Sequence, residues 1–405
     1  MGFALVLVLL ALIQNASAKD LDPEIFMDVM GIIKYWGYPV ESHTTVTSDG
    51  YILTMHRIPN GKNSGPNWPN GKKPAVFLQH GLLGDSSHYV GNLPGQSAAY
   101  MFADAGFDVW MGNMRGNTYS KNHTSLSPKN NDFWRFSWDE MGALDLEAMI
   151  DKVLEITAHD SLYYVGHSQG TLTMFSKLSL DNGGQFSKKI KKFFAYAPVS
   201  SVKNIEGGLA YLAHHFSLEL DAYYAIFGSG DFLPDFYVMK MVSEYVCGGM
   251  KIEADTCDNF LFLIGGPESN QWNETRVPVY ISQMPAGTSS QNMIHWLQMV
   301  QHGGIPMFNF GTKGNKAKYG QATPPQYDFS KIAGTQIYLY WSPDDWLADE
   351  KDILAYLLPK LSSSVLIENN RLEHFNHLDF IWGLNATELI YQPTIDICTK
   401  DYLNQ

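Results

Sequence analysis

Short apolar runs alternate along this chain with stretches that place an apolar residue at every third or fourth position. A helical pattern at 27–35 is broken by Gly37-Tyr38-Pro39. Residues 43–57 alternate polar and apolar side chains about Ser48-Asp49-Gly50, which predicts a β-hairpin. Residues 61–73, rich in Asn, Gly, Pro and Lys, read as a loop. Strand patterns follow at 74–79, 108–111, 162–166, 193–199, 335–341 and 365–367, with helical patterns at 97–105, 139–157, 171–180 and 351–361. The helix at 139–157 carries Leu146, Met149, Ile150, Val153 and Leu154 on one face. Asp139 and Glu140 stand at its start, where the helix dipole favours negative charge. Most of these strands are apolar throughout rather than alternating, so both of their faces must be covered. The expected fold class is α/β: a mostly parallel sheet with helices on both faces.

The rhythm fails between about residues 200 and 326, which are rich in Phe, Tyr, Met and Leu without β-α alternation. This interval reads as an inserted, mainly helical cap over the carboxyl ends of the strands. The chain then divides into a leader at 1–18, a core in two parts at 19–199 and 327–405, and the cap at 200–326. Aromatic and Met-rich pieces at 221–227 and 232–241 are candidates for a moving lid. No internal repeat or low-complexity segment interrupts the pattern.

Composition narrows the class. The 405 residues are 45% hydrophobic and 13% aromatic, enough for a large core, and the net charge of −13 argues against a nucleic-acid partner. Residues 3–13 form an apolar run of eleven, too short to span a bilayer, and Ala16-Ser17-Ala18 offers a small-residue cleavage site. The leader is therefore expected to be a secretory signal peptide, although its start lacks Lys or Arg. No later stretch has the length of a membrane helix, and no ER-retention tetrapeptide closes the chain. The expected location is the secretory pathway: the lysosome lumen or the extracellular space. Three sequons, at Asn122, Asn273 and Asn385, suit that route. In an oxidising compartment the close pair Cys247 and Cys257 is expected to form a disulfide, leaving Cys398 over, either buried and free or exposed. No Cys/His set has metal-site spacing, and neither a metal nor an organic cofactor is expected.

The chemistry centres on Gly166-His167-Ser168-Gln169-Gly170, set between a strand pattern and a helix pattern. In that context Gly-x-Ser-x-Gly is a nucleophile elbow. Ser168 must take a strained turn, and a Cβ at 166 or 170 would crowd the neighbouring strand and helix. A serine needs a base, and the base a carboxylate. In α/β-hydrolases these follow in the order Ser, Asp or Glu, His, on loops after late strands. Asp344 and Asp345 follow the strand at 335–341, and His374 and His377 follow that at 365–367. Residue type and order leave both choices open. Donors for an oxyanion would be the N–H of Gln169 and that of Leu82, in His80-Gly81-Leu82-Leu83-Gly84 after the strand at 74–79.

Taken together, Tyr35-Trp36-Gly37-Tyr38-Pro39, Asp49-Gly50-Tyr51-Ile52-Leu53, Phe77-Leu78-Gln79-His80-Gly81-Leu82-Leu83, Arg115-Gly116-Asn117-Thr118, Gly166-His167-Ser168-Gln169-Gly170-Thr171, Pro285-Ala286-Gly287-Thr288-Ser289, Leu347-Ala348-Asp349 and Asn376-His377-Leu378-Asp379-Phe380 resemble the acid lipase family, which includes lysosomal acid lipase and gastric lipase. The resemblance spans essentially the whole mature chain. It implies an α/β-hydrolase fold with His377 as the base, Asp345 as its carboxylate, and His374 and Asp344 as runners-up. It further implies lipid ester substrates met at an emulsion or membrane surface, and activity at acidic pH. The chain departs from the family in two places. Ser342-Pro343-Asp344 stands where a Gly-Gly-Asn-Asp-like turn is usual, and Ile264-Gly265-Gly266 stands where a third cysteine is usual. The expected activity is that of a serine lipase on triacylglycerols or cholesteryl esters. The alternatives are a hydrolase of smaller esters and a non-catalytic lipid-binding relative.

Overall fold

The computed structural model describes residues 22–63, 65–206, 210, 229–232 and 265–404. The leader at 1–18, the pair Cys247 and Cys257, the lid candidate at 221–227 and all but Phe232 of the one at 232–241 lie outside them.

Eight strands order the sheet: β1 (Glu41–Val46), β2 (Tyr51–Ile58), β3 (Ala75–Gln79), β4 (Asp108–Gly112), β5 (Leu162–His167), β6 (Ile190–Tyr196), β7 (Gln336–Trp341) and β8 (Leu366–Arg371). They lie in the order β1-β2-β4-β3-β5-β6-β7-β8, with the two-residue strand Asn122–His123 paired to β2. The hairpin β1-β2 and the pair β2-β4 are antiparallel, and every later pairing is parallel. β3, β4 and β5 are buried at every position. Alternate side chains of a strand point to opposite faces, so unbroken burial means that both faces are covered. The edge strands β1 and β8 alternate instead.

The core helices are α1 (Val29–Tyr35), α2 (Ala98–Asp104), α3 (Leu146–Thr157) and α4 (Gln169–Asp181). α3 continues a helix that starts at Trp138 behind a Ser137–Glu140 capping box and passes through a π turn at Met141–Asp145. Gly142 in that turn lies against α4, where a Cβ would stand 3.0 Å from the Thr173 carbonyl oxygen. Beyond the core come α5 (Val277–Gln283), α6 (Ser290–His302) and α7 (Gly311–Tyr319), then α8 (Gln392–Leu403) near the C-terminus. A two-residue ladder joins Asp231–Phe232 to Thr288–Ser289.

Three of the differences from the expected boundaries bear on the sheet and the site. α4 starts at Gln169, directly after Ser168, rather than at 171. β6 runs over 190–196 rather than 193–199, because Ala197 takes a left-handed φ of 49° before Pro198 and ends the strand. The basic residues at its start are accommodated: Lys192 reaches Asp401 of α8 at 3.0 Å. β8 extends to Arg371, four residues beyond the apolar stretch at 365–367, since an edge strand carries polar side chains on its open face. Cys398 is buried in α8 and free, and burial raises its thiol pKa well above the usual range, which makes it an inert thiol.

Candidate active site

Register brings the chemistry to one end of the sheet. Gln79 of β3 pairs with Gly166 of β5, so the segment after β3 runs beside the segment after β5. Ser168, between β5 and α4, has φ 54° and ψ −121°, a conformation rare for a residue with a Cβ. Its carbonyl accepts the N–H of Thr171 at 2.8 Å and the Thr171 hydroxyl at 2.7 Å, which ties the turn to the first helical turn. The two glycines have distinct reasons. A Cβ on Gly166 would lie 2.8 Å from the Gly170 carbonyl oxygen, and one on Gly170 only 2.5 Å from that of Gln79. Both are backbone contacts that cannot swing aside.

The loop after β3 approaches as closely. A Cβ on Gly81 would lie 2.9 Å from Ser168 Cβ and 3.3 Å from its Oγ. This brings the backbone leading to Leu82 beside Ser168, and Gln169 supplies the first N–H of α4, one of the donors a helix leaves without an intrahelical partner. His80 braces the loop. Its Nε2 accepts the Met114 N–H at 3.1 Å, so its Nδ1 carries the proton and donates to the Gly81 carbonyl at 2.8 Å. Burial lowers the His80 pKa to about 4, which keeps that tautomer neutral. The Leu83 carbonyl accepts the Ala286 N–H at 2.6 Å.

Each candidate histidine pairs with one candidate aspartate, and their surroundings separate the pairs. His377 Nδ1 lies 2.9 Å from both carboxylate oxygens of Asp345, with the two side chains 3% and 0% exposed. His374 Nδ1 lies 3.3 Å from Asp344 Oδ2, with the histidine 83% exposed. The buried pair is the one beside the elbow. His167 Nε2 donates to the His377 carbonyl at 2.9 Å, and the two rings are 4.9 Å apart. Asp345 Oδ1 also accepts the N–H groups of Leu347 and Ala348, each at 2.8 Å. Because Nδ1 of His377 faces a carboxylate, it holds the ring proton and leaves Nε2 as a base. His167 and His88 are kept neutral by burial, each with its pKa well below the ordinary value. No neighbouring imidazole therefore opposes a positive charge forming on His377.

A buried serine in a strained elbow, a His–Asp pair and two converging backbone segments form a constellation suited to acyl transfer. A family model for the α/β-hydrolase fold matches residues 74–384, and one for a partial α/β-hydrolase lipase region matches 29–93. The chain is 60% identical to Lipase lipl-3 of Caenorhabditis elegans over 98% of both chains. It is 40% identical to gastric triacylglycerol lipase of Rattus norvegicus, over 94% of this chain and 93% of that one. This chain belongs to the acid lipase family of α/β-hydrolases. A Crotalus adamanteus protein provisionally named lysosomal acid lipase/cholesteryl ester hydrolase is 42% identical over 94% of this chain and 93% of its own. Among solved structures, an α/β-hydrolase fold protein from Nakamurella multipartita matches with a TM-score of 0.50 at 11% identity, covering 88% of this chain and 98% of its own, a likeness of fold alone.

For this lipase the turn that carries His377 has its own support. Asn376 Oδ1 accepts the Leu378 N–H at 2.9 Å, while Asp379 accepts the Asn376 N–H and the Trp272 indole N–H, each at 2.7 Å. Asn376 and Asp379 belong to the Asn376-His377-Leu378-Asp379-Phe380 motif, in which residue type alone assigns them no role. Their Asx spacing around His377 is the signal that marks such a turn. Burial pushes the Asp379 carboxyl up to about 7, and the Asp139 carboxyl, which accepts from Phe308 N–H and Tyr327 OH, up to about 6. A carboxyl raised above its unfolded value of about 4 binds its proton more tightly when folded. Its contribution to stability is fully present below pH ~4 and is lost as pH rises through the folded value. Asp379→Asn cannot titrate, and its amide N–H₂ would face another N–H, so the variant is expected to melt lower than wild type at pH 5. That gap should close as pH rises from 5 to 8, read by thermal unfolding at each pH. A gap independent of pH would contradict the assignment.

Proposed function

We propose that this lipase hydrolyses neutral lipid esters, triacylglycerols and cholesteryl esters, at acidic pH, with Ser168 as nucleophile, His377 as base and Asp345 as its orienting carboxylate. The observation that carries the reading is the buried His377–Asp345 pair beside the Ser168 elbow. Ser168 Oγ attacks the ester carbonyl carbon as its proton passes to His377 Nε2, and Asp345 stabilises the imidazolium that forms. The carbonyl electrons move onto oxygen, held by the N–H groups of Leu82 and Gln169. The C–O bond then breaks, and the alcohol leaves with the proton from His377. Water gives a proton to the same nitrogen and attacks the acyl carbon, releasing the fatty acid and restoring Ser168.

The named relatives support the substrate class, since one carries triacylglycerol and another cholesteryl ester in its name. The elevated carboxyls of Asp379 and Asp139 favour the folded state toward acid pH, in keeping with an acidic working environment. We assign residues 200–326 as the cap between the two parts of the core, and the secretory pathway, lysosomal or extracellular, as the location. Glycans fit Asn122 and Asn385, which are exposed. Asn273 is half-buried and its amide nitrogen donates to Gln96 at 3.0 Å.

The test is fatty-acid release from long-chain triacylglycerol and cholesteryl ester emulsions between acidic and neutral pH. Release that peaks on the acid side supports the proposal. Folded, glycosylated protein that cleaves only short soluble esters would make it a small-ester hydrolase.

A further inference from the structure

The residue after the nucleophile is held from outside the core. The side chain of Gln169 is buried, and its Oε1 accepts two hydrogen bonds from α6: Asn292 Nδ2 at 3.0 Å and Trp296 Nε1 at 2.8 Å. An indole N–H can only donate, so the orientation of the Gln169 amide is determined, and its Nε2 is left facing the Met141 sulfur at 3.4 Å. Asn292 is equally constrained. Its Oδ1 accepts the Trp138 N–H at 2.8 Å, and its Nδ2 donates to both Gln169 and the Thr288 hydroxyl. Residues 292 and 296 stand one helical turn apart, so both reach the same acceptor from one face of α6.

α6 is itself fixed. Ser289 caps it by accepting the Asn292 N–H at 3.0 Å. His295 contacts the Ser137 hydroxyl at 3.0 Å and the Pro306 carbonyl at 2.9 Å, and stacks on Trp138 at 4.4 Å. A buried network of this kind is stiff, because breaking any of these hydrogen bonds strands a polar group away from water. Its free end is the first residue of α4. The main-chain N–H of Gln169 follows directly on the strained torsions of Ser168, so a restraint on the Gln169 side chain is a restraint on the direction of that N–H.

We propose that Asn292 and Trp296 are positioning residues for the reaction, aiming the Gln169 N–H at the oxyanion through the Gln169 side chain. The inference rests on the assignment of Ser168 and the Gln169 N–H made above.

The experiment compares wild type with Trp296→Phe, Gln169→Met and the double variant on a soluble p-nitrophenyl ester. Rates are expressed per active site titrated with a phosphonate. Trp296→Phe keeps an aromatic ring, smaller than the indole, and removes one donor, while Gln169→Met keeps the main-chain N–H and removes the acceptor. Deleting an oxyanion donor costs on the order of 10²–10³ in kcat, and misaiming one is expected to cost about 10-fold with KM unchanged. Affinity for a trifluoromethyl ketone, which forms a tetrahedral oxyanion on the serine, should fall in parallel. In the Gln169→Met background Trp296→Phe should have no further effect. A purely structural role would lower Tm and the fraction of titratable sites but leave kcat per site and ketone affinity unchanged, and that result would overturn the proposal. Should Trp296→Phe not fold, Gln169→Met, which leaves α6 intact, gives the same reading. Ser168→Ala runs alongside. If it still hydrolyses the ester, the nucleophile assignment has failed, whereas a dead Ser168→Ala beside normal Trp296→Phe and Gln169→Met variants refutes the positioning role alone.

Discussion

Ser168→Ala is expected to lower kcat for ester hydrolysis by about 10⁶, the cost of removing the nucleophile from a triad that acts as a unit. The residual rate should still exceed that of water by about 10³–10⁴, because the donors around the oxyanion and the substrate contacts remain. The fold should not suffer. Serine and alanine bear the same Cβ strain at φ 54°, and the turn is held by the Ser168 carbonyl, which the substitution keeps. The expected result is therefore a protein with near wild-type Tm that releases fatty acid about 10⁶-fold more slowly than wild type. Retained activity in that folded variant would remove Ser168 from the mechanism.

Asp345→Asn is the second large effect, expected at about 10⁴ in kcat, the size seen where the equivalent change in a serine triad selects the wrong imidazole tautomer. The asparagine oxygen can keep the N–H groups of Leu347 and Ala348, which places its N–H₂ at the Oδ2 position, 2.9 Å from His377 Nδ1. Nδ1 would then become the acceptor, and Nε2 would carry the proton, unable to take one from Ser168. Asp344→Asn and His374→Ala, at the exposed pair, should leave kcat within a few-fold of wild type, since a surface ion pair contributes little. Steady-state kinetics on one soluble ester compares all three. A larger loss at Asp344 than at Asp345 would reverse the assignment.

Much of this could be read from residue order alone. The apolar runs marked the central parallel strands because a strand buried on both faces needs no alternation, and the hairpin was visible in its turn residues and in the alternation of its second strand. The elbow was legible because glycines at 166 and 170 answer to backbone atoms within 3 Å, a constraint that leaves one residue type. α8 left less trace: its hydrogen bonds to the sheet, such as Tyr196 to Thr394 at 2.8 Å, join residues far apart in the chain.

Residue type and order carried the sheet, the elbow and a short list in which Asp344 or Asp345 and His374 or His377 were chemically equal, and the family resemblance favoured Asp345 and His377. The physical difference between the two His–Asp pairs is tertiary, since they differ in burial and in closeness to His167, and neither property is local to the loop. The same holds for Asn292 and Trp296. On a helix buried almost all round, periodicity carries no directional signal, so their contact with Gln169 exists only once α6 is packed against α4.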